Sequence, residues 1–181
     1  MIPNLKTYGT VNVLVIASTT TAAGAAMWGL WNNGGSRQVV IPRIVFQMSF
    51  GGTGAGSVQR CEWVKATAVT AITDGVAVTP VEGDVRNPAV GFTAKVLDTG
   101  LTTTGITGAL ALYTASWQRV TWSATATADT VGPVHTVDFT APGIEGLVLQ
   151  KNEILALRNG PTNASVAGDT ITGMVYYYEK T

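Results

Sequence analysis

The stretch from Gly146 to Glu179 constrains this chain most, because three short apolar runs, GLVLQ, KNEILALRNG and ITGMVYYYE, follow one another with turn residues between them. Short runs rich in branched and aromatic residues, bounded by Gly and Asn, are strand chemistry. No catalytic vocabulary sits among them. Leu155 and Leu157 alternate with Ile154 and Ala156, so both faces of the middle strand are apolar. That suits a central strand, or one whose outer face meets another subunit. The run Tyr176, Tyr177, Tyr178 likewise sets an aromatic on each face of its strand. Leu155, Leu157, Tyr176, Tyr177 and Tyr178 are the candidate interface residues.

The rest of the chain carries the same signal. Val11 to Ala17 is apolar on both alternating sets, which predicts a centrally placed strand. Ala25 to Asn32 predicts a second strand with Trp28 and Trp31, and Asn32-Asn33-Gly34-Gly35-Ser36 predicts a hairpin turn into the next. From Gln38 to Phe50 the alternation places Val40, Pro42, Ile44, Phe46, Met48 and Phe50 on one face and Val39, Ile41, Arg43, Val45, Gln47 and Ser49 on the other. Pro42 cannot donate to a ladder, so an edge or a bulge is expected there. The glycine-rich loop Gly51 to Ser57 predicts a second hairpin into Val58 to Ala66. Residues 67 to 114 read as a long irregular excursion with one or two short strands, and excursions of that length usually serve an interaction. Gly108 to Trp117 is the one helical candidate, without strong caps. Ser116 to Ala126 and Val131 to Thr140 return to alternation. About eight to ten strands at this spacing describe a single all-β domain over residues 1–181, an antiparallel β-sandwich of jelly-roll type.

Composition narrows the kind of work such a domain does. Hydrophobic residues make up 46% of the chain and charged residues 12%, where about a quarter is usual for charged residues. Eleven basic and eleven acidic side chains cancel, so no electrostatic footprint for nucleic acid or anionic lipid is present. Weak charge also leaves little repulsion between copies, which favours assembly. The segment Leu14 to Leu30 is uncharged, but Ser18 to Thr21, Gly24, Gly29 and its β-branched residues argue against a membrane span. Cys61 is the only cysteine, which excludes an intrachain disulfide, and the N-terminal sequence shows no secretory signal. The expectation is folding in a reducing cytoplasm.

Candidate chemistry is thin. His135 is the sole histidine and sits in a strand-like stretch, with no spacing that assembles a triad around it. Cys61 lies between Arg60 and Glu62, without the electropositive setting of a reactive thiol. One histidine with one cysteine excludes the common zinc patterns. Glu82 and Asp84 offer oxygen ligands for calcium, against the alternative of a solvated acidic turn. The loop Gly51 to Ser57 lacks the Lys-Ser or Lys-Thr ending of a phosphate cradle. Asp84, Glu145, Glu153 and Asp169 are the carboxylates a glycosidase pair would draw on, with no spacing that joins two of them. Neither enzymatic activity nor a cofactor is expected. Trp28, Trp31, Trp63, Trp117, Trp122 and the three consecutive tyrosines supply either a core or a sugar- or protein-binding face.

The order of these features resembles small accessory virion proteins of tailed bacteriophages. The likeness rests on a Thr-rich first hairpin (Ala17 to Ala23), the strand Met27 to Asn32 and the strand Arg43 to Phe46. It extends to the closing runs Leu147 to Leu149, Glu153 to Asn159 and Gly173 to Tyr176. It covers most of the chain as a style of sequence, weakest over residues 67 to 114, and carries no functional residue across. The resemblance implies a jelly-roll-like capsid decoration or cement protein that forms a homo-oligomer, a trimer in first expectation. It would bind the major capsid protein or another virion protein, and would be found in the virion after folding in the host cytoplasm. The alternatives are a tail or fibre component binding host-surface glycans and, more remotely, a carbohydrate-active hydrolase.

Overall fold

The structure, a computed structural model, describes residues 9–16, 24–33, 37–50, 58–67, 71–73, 75–81, 93–96, 102–104, 107–118, 130–160 and 169–180. These residues contain strands and connections and no helix. In chain order the strands are β1 (Gly9–Ile16), β2 (Ala26–Trp31), β3 (Gln38–Phe50), β4 (Val58–Thr67), β5 (Ala71–Thr73), β6 (Val76–Ala77) and β7 (Thr93–Val96). They continue as β8 (Thr102–Thr104), β9 (Thr107–Gln118), β10 (Thr130–Val131), β11 (His135–Asp138), β12 (Leu147–Leu149), β13 (Ile154–Asn159) and β14 (Thr170–Lys180).

Two antiparallel sheets form a β-sandwich. In the first, β1 pairs with β14 and β14 with β3, and the far side of β3 is lined in turn by β12, β11 and β10. The second runs β6-β7-β2-β13-β4-β9. A separate ribbon pairs β5 with β8. The sheets share one core, to which Val11, Val13, Ile44, Phe46, Met48, Ile171, Val175 and Tyr177 contribute from the first, and Met27, Trp28, Leu30, Cys61, Trp63, Leu155 and Leu157 from the second.

At the centre the rings form a connected chain. Trp28 meets Trp63 edge-on at 5.6 Å between centroids, Trp63 meets Phe46 at 5.7 Å, and Phe46 meets Tyr113 at 6.1 Å. Edge-to-face contacts of this kind add roughly 0.5–1.5 kcal/mol each beyond area burial. The indole nitrogen of Trp28 donates to the Asn12 carbonyl at 3.2 Å, tying the second sheet to the first.

Several sequence expectations change here. The predicted hairpins do not form, because β1 and β3 belong to one sheet while β2 and β4 belong to the other, so each turn signal marks a crossing between sheets. The β2–β3 crossing is fixed by Asn32, which is fully buried and donates through its amide to the carbonyls of Arg37 and Leu149, both at 3.0 Å. Strand β1 is terminal in its sheet, not central; beyond it only the bridge between Thr10 and Val81 is seen among the described residues. Gly108 to Trp117 is strand, within β9, because pairing along β4 outweighs the helix propensity of its Ala and Leu residues. The register shift between Trp63 and Val64 on that ladder accompanies the packing of both Leu112 and Tyr113 against the core.

Pro42 sits at a register shift, as its missing N–H requires, although β3 is an interior strand. Tyr176 pairs with Arg43 and Tyr178 with Val40, so Ile41 and Pro42 together oppose Tyr177. The shift inverts the alternation. Ile44, Phe46 and Met48 face the core on one side of it, and Ile41 and Val39 on the other, so the two sequence-assigned faces do not persist along the strand.

The excursion is partly self-covering. Ile72 on β5 packs with Val64, Ala66, Ile154 and Ala156, joined by Ala26 and Trp31, over the side of the second sheet opposite the shared core. That cover explains why both faces of β13 are apolar.

Candidate functional site

The sequence-predicted interface residues are largely inside the protein. Leu155 and Leu157 are fully buried in the shared core. Tyr177 points into the same core, and Tyr178 is buried with its hydroxyl donating to Glu145 Oε2 at 2.8 Å. These four residues therefore present no surface to a partner: a central strand and a covered aromatic satisfy the same two-sided apolar pattern that an interface would. Tyr176 alone among the five is half-buried and open to one side.

Tyr176 belongs to a row across three adjacent strands. Arg43 on β3 pairs with Tyr176 on β14 and, on its other side, with Asp138 on β11, so the ring, the guanidinium and the carboxylate lie side by side on the outer face of the first sheet. Neighbouring strands are about 4.8 Å apart, which gives the row a span of two such steps. Beyond Asp138 the strand lining β3 stops, and pairing resumes only at Leu147 opposite Ile41. The interruption falls opposite Pro42, whose carbonyl accepts from the Phe139 N–H at 2.9 Å. The chain between turns back through Ala141-Pro142-Gly143-Ile144, closed by Ile144 N–H donating to the Ala141 carbonyl at 2.8 Å. Gly143 takes φ 81°, the positive value that the third residue of a type II turn requires, with Pro142 at the second position.

This break leaves a cleft of about 320 Å³ lined by Pro42, Arg43, Asp138, Thr140 and Tyr176. Its polar groups are held in place. Asp138 Oδ1 accepts from both the N–H and the hydroxyl of Thr140, and Asp138 Oδ2 accepts from Arg43 Nη2 at 3.3 Å. The Thr140 hydroxyl, then the Thr140 N–H, and lastly Arg43 hold the Asp138 carboxyl below its ordinary value. The Tyr176 hydroxyl has no hydrogen-bond partner among the described residues.

The other sequence candidates serve the scaffold. His135 stacks on Phe46 with centroids 5.3 Å apart and shares a 2.9 Å hydrogen bond with the Tyr113 hydroxyl; burial pushes its imidazole below the ordinary value. Cys61 is buried in the core, where burial first and the Glu62 charge second push its thiol far up. Glu145 receives the Tyr178 hydroxyl and, at 3.3 Å, Lys180, while Glu153 pairs with Lys65 at 2.7 Å and Asp169 is buried. Trp28 and Trp63 are core, and Trp31 covers the outer side of the second sheet. Glu82, Asp84, the loop 51–57 and Trp122 lie outside the described residues, as does the side chain of Trp117. Among the described residues no group of three or more His, Cys, Asp or Glu side chains is placed to hold a metal, and no helix is long and apolar enough to cross a membrane.

Arg43, Asp138 and Thr140 were not singled out by sequence reasoning. The available signals were Pro42 inside a long alternation and the Asp-x-Thr spacing of a side-chain-capped turn. What joins them is pairing between residues 95 positions apart. No protein-family model, curated protein sequence or solved structure matches this chain.

Proposed function

We propose that this protein is a non-enzymatic virion component of jelly-roll type, a capsid decoration or cement protein that assembles into a homo-oligomer, first a trimer, and binds the capsid lattice. The jelly-roll reading is supported by strand order: β1-β14-β3-β11 faces β2-β13-β4-β9, and consecutive long strands alternate between the two sheets at both ends of the chain.

The observation that carries assembly is the side of the sandwich where both sheets end. Tyr113 on β9 and His135 on β11 meet there, and β9, β10 and the connections on either side of β11 expose Leu110, Val131, Val134 and Ile144 by 56–62%. Large aliphatic side chains at that exposure, on a chain without net charge, suit burial against a second copy. The ionisable side chains meanwhile act as staples between neighbouring segments, as in Glu62–Arg158, Lys65–Glu153 and Arg37–Glu179. Weak contacts per subunit become strong when an oligomer engages a repeating lattice at several points.

Size-exclusion chromatography with light scattering tests the oligomer. The wild-type chain is expected as a defined oligomer at micromolar concentration, with Leu110→Asp combined with Val134→Asp shifting it to monomer. A wild-type chain that stays monomeric refutes the reading. Imaging of particles with and without the protein then tests attachment.

A further inference from the structure

We propose that the cleft floored by Tyr176, Arg43 and Asp138 is a binding site for a neutral saccharide. This goes beyond the assembly reading and does not rest on it.

The chemistry of the row selects the ligand. A sugar ring presents an apolar C–H face and a rim of hydroxyls, each both donor and acceptor. Tyr176 offers part of its ring face and a phenolic hydroxyl without a protein partner among the described residues, so it can cover the apolar face and bond a rim hydroxyl. Arg43 carries five N–H donors and spends one on a 3.3 Å contact to Asp138. Asp138 keeps acceptor capacity on Oδ2, because Thr140 engages Oδ1. A guanidinium and a carboxylate side by side match a vicinal diol, one hydroxyl accepting from the guanidinium and its neighbour donating to the carboxylate, through charge-assisted bonds.

Charge argues against ionic ligands. The lining holds one positive and one negative group beside neutral Pro42, Thr140 and Tyr176, so neither an anion nor a cation gains a net field, while a polyol uses both charges at once. The volume of about 320 Å³ is at the small end for ligand pockets, which fits a single ring held against a shallow floor. The site is also preorganised. Thr140 fixes Asp138, which aligns Arg43, and the register shift at Pro42 holds the floor open on rigid strands.

The test uses the full chain and a panel of lactose, maltotriose and chitotriose, with sialyllactose as an anionic comparator, read by saturation-transfer and amide-shift NMR. At least one neutral sugar is expected to bind with millimolar affinity, about −4 kcal/mol, and to shift amides at Arg43, Asp138 and Tyr176. Tyr176→Ala is expected to weaken binding at least about tenfold, close to 1.4 kcal/mol, while Tyr176→Phe retains most of it. Arg43→Gln, on a solvent-exposed side chain, provides a second loss-of-binding variant if Tyr176→Ala does not fold by circular dichroism. No response to any neutral sugar, binding unchanged in a folded Tyr176→Ala or Arg43→Gln protein, or binding of sialyllactose alone overturns the proposal. None of these outcomes alters the oligomer mass, so this proposal and the assembly reading fail separately.

Discussion

The side-chain amide of Asn32 donates to the carbonyl of Leu149 at 3.0 Å across 117 positions of sequence, and also to the carbonyl of Arg37 at 3.0 Å. The backbone of the same residue donates to Glu153 O and accepts from Asn152 N–H. One buried side chain thus locks the crossing from β2 to β3 onto the turn between β12 and β13. Asn32→Leu removes both amide donors and strands two carbonyls, each costing about 1–3 kcal/mol when buried. We expect a loss of roughly 2–4 kcal/mol in urea unfolding, with the denaturant slope unchanged.

Stability should respond to His135 in mild acid. Burial depresses its imidazole below the 6.5 of the unfolded chain, so in the interval between the two values the unfolded state binds more protons and stability rises with pH. The contribution is complete above about pH 6.5 and declines as pH falls below it. Thermal melts of the wild type and of His135→Phe between about pH 8 and about pH 5 check this: the wild type should lose more of its Tm over that range. Parallel curves would remove His135 as the cause.

Cys61 should be silent toward thiol reagents in the native protein. It lies in the core with its thiol pushed far above its ordinary value, and only the thiolate reacts. Labelling with a disulfide reagent is expected to proceed at the rate of unfolding and to become fast in denaturant. Rapid native labelling would show that the core around Trp63 opens locally.

Gly173 is a steric test of the first sheet. A Cβ built there lies 2.8 Å from Phe46 Cα and also meets the Val45 carbonyl, a backbone that cannot yield. Gly173→Ala should therefore displace β14 from β3 and cost about 1–3 kcal/mol, the usual range for overpacking. Loss of amide-exchange protection along β14 would be the structural readout.

How far the sequence speaks for the fold depends on the distance over which each residue's role is set. Local alternation located the strands: Gln38 to Phe50, Ile154 to Asn159 and Thr170 to Lys180 all appear where short-range pattern places them. Their partners are set at long range. Asn32-Asn33-Gly34-Gly35 carries the same turn chemistry whether the chain folds back on itself or crosses to the opposite sheet, and only the buried contact with Leu149 distinguishes the two. Pro42 announced an irregularity, yet not that the inward face would change from Ile44 to Ile41 across it. For the same reason the apolar faces of β13 pointed equally to a subunit contact and to the cover that Ile72 provides. The cleft was least legible, since Tyr176, Arg43 and Asp138 come from three separate strands and meet only through register.

The interrupted lining of β3 has a further consequence. A long, flat, uninterrupted strand at a sheet margin is a template on which another chain can add backbone to backbone without limit. Here that margin is divided into β10, β11 and β12, pieces of two to four residues with Pro133 and Pro142 in the connections between them. No incoming strand finds more than a few consecutive groups in register. This margin of the first sheet therefore offers no continuous template for fibrillar stacking, and contact with a neighbour along it must run through side chains of defined shape.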